Sequence, residues 1–540
     1  MIRTLRYFPF LLLLSLPLQA QNITLTSSNL PILVVTTDAE IPDEPKMTAQ
    51  LGVVWNSDGS RNYLSEGFNH YDGFIGIERR GSSSQWFEKI GYGFETRLPD
   101  GNNNNVPLLG LPAENDWVLH GPYSDKSLLR NALAYGTARA VMDYAPRMKF
   151  CELVINGDYK GVYLLLEKIK RDNNRVDIAT LNPDDTAGDQ LTGGYILKFD
   201  KTTGAATDGF VSAYPPVGAV FQETYIQFHS PKPGTIQPAQ AAYIQNHLEE
   251  FEDVLQSDNW LHPTEGYRAY LNTASLIDHM WLQELSRNVD GYRLSTYFYK
   301  DRDSLGGKIA LGPVWDFNLG FGNADYCEGS QIEGWAWNFN QVCPLDGTLI
   351  HFWWDRLRED PGFRTEAAER WRQLRLSTLS DAALLSRIDS LELLLGEAAL
   401  RNFIQYPILD EYVWPNPAVL GSWPAEVQRL RNWTLDRAAW IDGVMDDFEG
   451  ISSTRRPLVS DRFQVQPNPG NGRIRFTVTG LPNGAPVDLW IYDMLGRVVH
   501  SDRTTLSGLL WDAHAMPAGT YFYRIDLEGT HYGGRVIVQP

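Results

Sequence analysis

Cysteine is scarce: Cys151, Cys327 and Cys343 are an odd set of three in 540 residues, and none has the spacing of a zinc ligand pair. Positive charge is also in deficit. Lys and Arg total 47 against 66 Asp and Glu, a formal charge of -19, which excludes a general nucleic-acid binder because phosphate backbones need a basic field. Beyond the first twenty residues no apolar run is long enough to span a bilayer. Several signatures are missing as well. There is no Walker loop, no G-x-G-x-x-G, no G-x-S-x-G elbow and no H-E-x-x-H pair, and Gly91 with Gly93 alone is a weak nucleotide signal.

What is present describes a globular chain: hydrophobic residues make up 43% and charged residues 21%, enough to bury a large core, and the length implies two or three domains. The start, "MIRTLRYFPFLLLLSLPLQA", sets Arg3 and Arg6 before an apolar stretch from Tyr7 to Leu18 and ends at Ala20. Residues 1–20 are therefore expected to be a cleaved signal peptide, giving an exported chain with no transmembrane segment in its mature form. In such a chain Cys327 and Cys343, which bracket a loop rich in Gly, Asn and Trp, are the expected disulfide, worth about 3 kcal/mol for a loop of about 15 residues. Cys151, in the apolar run "MKFCELVIN", is expected to be buried.

Composition changes near residue 450. Upstream, Leu384, Ile388, Leu391 and Leu395 recur at helical spacing, and "NTASLIDHMWLQELSRN" puts Leu276, Ile277, Met280, Trp281 and Leu285 on one helical face. Earlier still, "MKFCELVINGDYKGVYLLLEKIK" holds Asn156-Gly157 between two apolar runs, a hairpin signal, and "GGYILKFD" is a further strand. The expected fold is α+β in two lobes over 21–450, a sheet-rich front and a helix-rich rear, then a linker over 451–460. Short alternating runs over 461–540 predict a small all-β, immunoglobulin-like sandwich.

The stretch "SRNVDGYRLSTYFYKDRDSLGGKIALGPVWDFNLGFG" reads as a loop, a strand from "YRLSTYFYK", a turn, a strand from "KIALGPVW" and a second loop. Two strands joined by a turn return the chain to its start, so Asp290 with Asn288 and Asp316 with Asn318 are expected at one end of a hairpin. Carboxylates and carboxamides grouped in this way suit a hard divalent cation and a phosphate. Ordinary turn chemistry accounts for the same residues. In "RRGSSSQWFEK", Arg80, Gly81, Ser82 to Ser84 and Lys89 could form an anion-binding concavity.

The segments "IERRGSSSQWFEKIGYGFETR", "LLGLPAENDWVLHGPYSDKSLLRNALAY", "ELVINGDYKGVYLLLEKIKR", "SRNVDGYRLSTYFYKD" and "GPVWDFNLGFG" resemble, in this order, the spore-coat protein H (CotH) family of atypical protein kinases. The likeness is strong over about 75 to 325 and continues through "HFWWDRLREDPGFRTEAAERWRQLR" and "RNFIQYPILDEYVWPN". It implies a small kinase-like fold that transfers the γ-phosphate of ATP to Ser or Thr of a protein, with Mg²⁺ or Mn²⁺. Asp290 would orient the acceptor hydroxyl. Asp316 would bind metal, with Asn318 where many relatives carry a second Asp. Arg80, Ser82 (where relatives usually have Asn) and Lys89 would meet the ATP phosphates. Apart from the resemblance, Glu167 at the end of the hairpin's second strand is a candidate acidic partner for a phosphate-binding lysine or a metal contact. Arg130 and Asn131 match a family motif at a helix start and could instead tie the lobes together. The tail segments "VQPNPGNGRIRF", "IYDMLGRVV", "WDAHAMPAGTYFYRI" and "GGRVIVQP" resemble the C-terminal sorting domain of type IX secretion, which implies that machinery as a partner and a secreted or surface location reached through the periplasm.

Two other classes compete. A catalytically inactive surface or glycan-binding protein could use some of the 17 tryptophans, notably Trp335, Trp337, Trp353 and Trp354, although large aromatics also fill cores. ATP is scarce outside the cell, which favours that class. A hydrolase would need its paired carboxylates correctly spaced in the fold.

Overall fold

The computed structural model describes residues 23–201, 208–450, 463–467, 470, 472–478, 486–493, 497–505, 508–527 and 530–539. The expected signal peptide at 1–20 and linker at 451–460 lie outside the described residues. The body is α+β with a sheet-rich N-terminal region, and the C-terminal segment is all β.

Seven strands open the body: β1 (Ile32–Thr36), β2 (Met47–Val54), β3 (Tyr71–Arg80), β4 (Gly91–Arg97), β5 (Asp116–His120), β6 (Met148–Ile155) and β7 (Asp158–Glu167). They close into a barrel in the order β6-β7-β5-β4-β3-β2-β1. Every neighbouring pair is antiparallel except β6 with β1, where Glu152 lies opposite Ile32. Alternating side chains fill the interior, among them Leu33, Leu51, Ile75, Phe94, Trp117 and Leu165. The hairpin between β6 and β7 turns at Asn156 and Gly157, whose φ of 52° and 85° is the left-handed pair that a two-residue hairpin turn requires. Cys151 is buried and free on β6.

Behind the barrel lie α1 (Arg130–Ala138) and an antiparallel sheet of β8 (Tyr195–Phe199), β9 (Gly209–Val211), β10 (Tyr225–Ser230), β11 (Thr296–Lys300) and β12 (Ile309–Leu311), ordered β9-β10-β8-β11-β12. Around it pack α2 (Pro238–Gln256), α3 (Thr273–Ser286), α4 (Pro361–Arg375), α5 (Asp381–Gln405) and α6 (Trp423–Gly443). Asn272 caps α3 by accepting the Ser275 N–H at 3.2 Å. On α5 the expected face is inside: Leu384, Ile388 and Leu395 are fully buried.

Two expectations change on contact with the structure. The strand in "YRLSTYFYK" begins only at Thr296, because Tyr292 and Ser295 adopt left-handed φ of 69° and 46° and turn the chain. The strand in "KIALGPVW" ends at Leu311, before Gly312 and Pro313, where proline lacks the N–H a ladder needs. For the tryptophans, core filling is what the structure has: Trp337, Trp353 and Trp354 are buried, and Trp335 stacks on Trp337 at 4.3 Å between ring centroids.

The Cys327–Cys343 disulfide is formed, with Cα atoms 5.7 Å apart. In the C-terminal segment, β13 (Phe463–Gln466), β14 (Arg473–Val478), β15 (Val487–Tyr492), β16 (Val498–Thr504), β17 (Gly508–Asp512), β18 (Gly519–Leu527) and β19 (Thr530–Val538) make two antiparallel sheets, β13-β14-β17 and β16-β15-β18-β19. Phe476, Leu489, Trp511 and Ile525 belong to one core shared by both. Among the described residues no helix is long and apolar enough to cross a membrane.

Candidate active site

The α3 helix stops because Arg287 takes a left-handed φ of 42°, and the next residues form a tight loop. Asn288 Oδ1 accepts the Asp290 N–H at 3.2 Å, Asn288 C=O accepts the Gly291 N–H at 2.9 Å, and Asp290 C=O accepts the Leu294 N–H at 3.0 Å. This is the local hydrogen bonding that Asn and Asp supply in turns. Asp290 Oδ1 accepts from Arg293 Nη2 at 3.1 Å. Its Oδ2 accepts no hydrogen bond among the described residues. Burial pushes the Asp290 carboxyl above its usual range, against the pull of Arg293.

The second loop is held more tightly. Asp316 has φ 56°, a conformation that costs a non-glycine residue about 1–2 kcal/mol. Four hydrogen bonds fix it there. Its N–H donates to Tyr135 Oη at 3.1 Å, the Phe317 N–H donates to Asn131 Oδ1 at 2.7 Å, its C=O accepts from Asn288 Nδ2 at 3.1 Å, and Oδ2 accepts from Ser295 Oγ at 3.1 Å. Asn288 thus joins the two loops directly. Burial raises the Asp316 carboxyl to about 6; the charge of Arg80 opposes this, and Asp200 and Asp290 add to it.

Asp290, Asp316 and Asn318 line one cleft of about 390 Å³, together with Arg80, Ser82 and Ser84 from the loop after β3. Gly81 in that loop has φ 121°, outside the range of ordinary side chains. The Arg80 guanidinium lies 5.1 Å from the Trp315 ring centroid, and its Nη1 is buried with no hydrogen-bond partner among the described residues. Asn131 belongs to the site's framework: besides holding Phe317, its Nδ2 donates to His120 Nε2 at 3.1 Å, linking β5 to the Asp316 loop. Arg130 stays local, bonded to Asp125 and Ser127.

Two expected residues are not brought into the cleft wall. Lys89 is buried and donates to Asn402 Oδ1 on α5 at 2.6 Å, with the rings of Tyr163 and Tyr406 within 5.2 and 5.6 Å, and burial drives its pKa well below the ordinary value. It fastens the barrel to α5. Glu167 follows Leu166, which does line the cleft, so strand alternation sends Glu167 the other way. Its partner is Arg147, at 3.0 Å, with Tyr144 Oη at 3.1 Å, and no lysine pairs with it among the described residues.

Sequence reading missed Lys198, Asp200 and Lys201, which also line the cleft. The signal was the alternation in "YILKFDK": Tyr195, Leu197 and Phe199 enter the core, so Lys198 and Asp200 share the other face, where they pair at 2.7 Å.

Among the described residues no three His, Cys, Asp or Glu side chains gather as a metal set. The carboxylate and carboxamide oxygens lining the cleft come from Asp200, Asp290, Asp316 and Asn318, with hydroxyls from Ser82, Ser84 and Ser295. With no set of three carboxylates gathered, these oxygens fit Mg²⁺ in the mode where phosphates and waters complete the shell, and the partnerless Arg80 nitrogen fits the phosphate half of that pair.

Comparison with known proteins covers both parts of the chain. Residues 464–539 match the secretion system C-terminal sorting domain, which marks the protein for export by the type IX machinery to the cell surface or the medium. No curated protein matches the chain. Residues 77–441, more than half of the sequence and including both carboxylate loops and most of α6, match the CotH kinase protein, and the chain belongs to that family.

Proposed function

We propose that this exported protein transfers the γ-phosphate of ATP to a Ser or Thr hydroxyl of a protein substrate, using Mg²⁺ or Mn²⁺. What carries the reading is the meeting, in one cleft, of two carboxylates from separate loops with a buried arginine whose Nη1 has no partner among the described residues. In this reading Arg80 and the amides of Gly81 to Ser84 hold the phosphates, and Lys198 and Lys201 add positive charge. Asp316 and Asn318 hold the cation, which when bound neutralises phosphate charge. Asp290 Oδ2 accepts the acceptor hydroxyl's hydrogen bond and orients its oxygen towards the γ-phosphorus. The new P–O bond forms as the bond to ADP breaks, and the hydroxyl proton passes to Asp290. The barrel and the helical half serve as the two lobes of a kinase-like fold. The tail's strand order, three strands against four around one core, supports an immunoglobulin-like sandwich.

A catalytically inactive scaffold is the second reading, favoured by Lys89 and Glu167 lying away from the cleft wall. The full chain incubated with γ-labelled ATP and Mg²⁺ or Mn²⁺ decides between them. Incorporation is expected in the wild type, with a loss of about 10²-fold or more in Asp290→Ala and Asp316→Ala. Label persisting in both variants, or no incorporation and no thermal shift with Mg-ATP in the wild type, would sink the phosphotransferase.

A further inference from the structure

Arg293 is buried, and four of its five N–H donors have partners. Nε donates to Val289 C=O at 2.8 Å, Nη2 to Asp290 Oδ1 at 3.1 Å, and Nη1 both to Asp346 Oδ1 and to Thr348 C=O at 3.0 Å. Its guanidinium lies 4.0 Å from the Phe339 ring centroid, so it has no room to swing away. Asp346 is itself fixed: Oδ1 also accepts the Thr348 N–H at 2.9 Å, and its own N–H donates to the C=O of Cys343, one half of the disulfide, at 3.1 Å. A rigid line therefore runs from the Cys327–Cys343 bridge through Asp346 and Arg293 to one oxygen of Asp290.

We propose that Arg293 and Asp346 are positioning residues for Asp290, braced by the Cys327–Cys343 disulfide: Nη2 of Arg293 occupies Oδ1 and leaves Oδ2 aimed at the acceptor hydroxyl. The catalytic part of this inference rests on the phosphotransferase reading; the brace itself does not. A dithiol reductant opens the brace by exchanging its own two thiols for the bridge, becoming a cyclic disulfide and leaving Cys327 and Cys343 as thiols. Asp346 then keeps its other anchor, Gln222 Nε2, which donates to Pro344 C=O at 3.0 Å and to Asp346 C=O at 2.8 Å.

The test uses the full chain with Asp346→Asn and, separately, Cys343→Ser. Amide hydrogen exchange is followed in 289–294, where the Leu294 and Arg293 N–H groups donate to Asp290 C=O, and in 314–322 as an internal reference. Exchange in 289–294 is expected to rise about tenfold in both variants with 314–322 unchanged, while kcat falls about tenfold and the KM for ATP stays within about twofold. Unchanged exchange in Asp346→Asn overturns the brace whatever the turnover. Raised exchange with wild-type kcat overturns the catalytic role. Raised exchange in a chain whose wild type has no turnover rejects the phosphotransferase and leaves the brace standing. Should Cys343→Ser fail to fold, Asp346→Asn alone decides.

Discussion

Asp316 combines a left-handed backbone with a carboxyl that burial lifts from 3.8 to about 6. The folded chain therefore binds this proton more tightly than the unfolded chain. The stability it gives is complete below about 3.8 and is lost as pH rises through about 6, a difference of at most about 3 kcal/mol. Asp316→Asn should raise the melting temperature of the ligand-free protein at neutral pH, since it removes a buried charge and Asn tolerates the left-handed region. The same variant should lose its thermal response to Mg-ATP; a melting temperature at or below wild type would contradict this account. Calorimetry should find Mg-ATP affinity falling as the pH drops below about 6, because a protonated Asp316 cannot hold the cation. Both carboxylates were legible in the sequence because each interrupts an apolar run with turn-forming residues. Lys89 was not, since what decides its direction is Asn402, 313 positions away. Lys198 and Asp200 could have been read from strand alternation.

Helix α6 sets the geometry of both loops. Trp433 Nε1 donates to Ser330 C=O at 3.0 Å, and Arg429 donates to Gly322 C=O at 3.1 Å in the Asp316 loop. Arg437 Nε donates to Glu284 C=O at 2.9 Å near the end of α3, and Nη2 lies 3.2 Å from Glu284 Oε2. Burial pushes Glu284 upward and draws Arg437 down to about 9, but Glu284 also accepts from Tyr292 Oη and the N–H groups of Ala336 and Trp337. Replacing one partner leaves the other uncompensated, so Arg437→Ala should cost about 3–5 kcal/mol in denaturant unfolding. Gly322 has φ 73°, and a Cβ there would meet Trp433 Cδ1 at 2.5 Å. Gly322→Ala should destabilise by about 2–3 kcal/mol and weaken nucleotide binding, whereas a neutral effect would show that the loop can shift away from α6. The helices were readable from their apolar period. The strand beginning at Thr296 looked longer because its first residues have strand-like composition, and the left-handed turns at Tyr292 and Ser295 are imposed by packing around the loop.

Across the whole molecule, body and tail have separate cores: the tail's is made of residues from Ile474 to Val538 alone. Deleting 463–540 should leave the body's melting transition and Mg-ATP response in place while abolishing appearance of the protein outside the cell; a body that no longer folds would show the two to be interdependent. Reduction of Cys327–Cys343, 16 positions apart, should lower the body's stability by about 3 kcal/mol, measured against unreduced protein in urea. The switch from helical period to alternating strands was visible in the sequence, and the barrel's closure was not, because the parallel pairing of β6 with β1 joins segments more than a hundred residues apart, with no local signature. The position of α6 near the end of the body has a further consequence during synthesis. A nascent polypeptide leaves the ribosome with both acidic loops translated long before Arg437 can buttress them. The two loops therefore reach their final geometry only once α6 has docked.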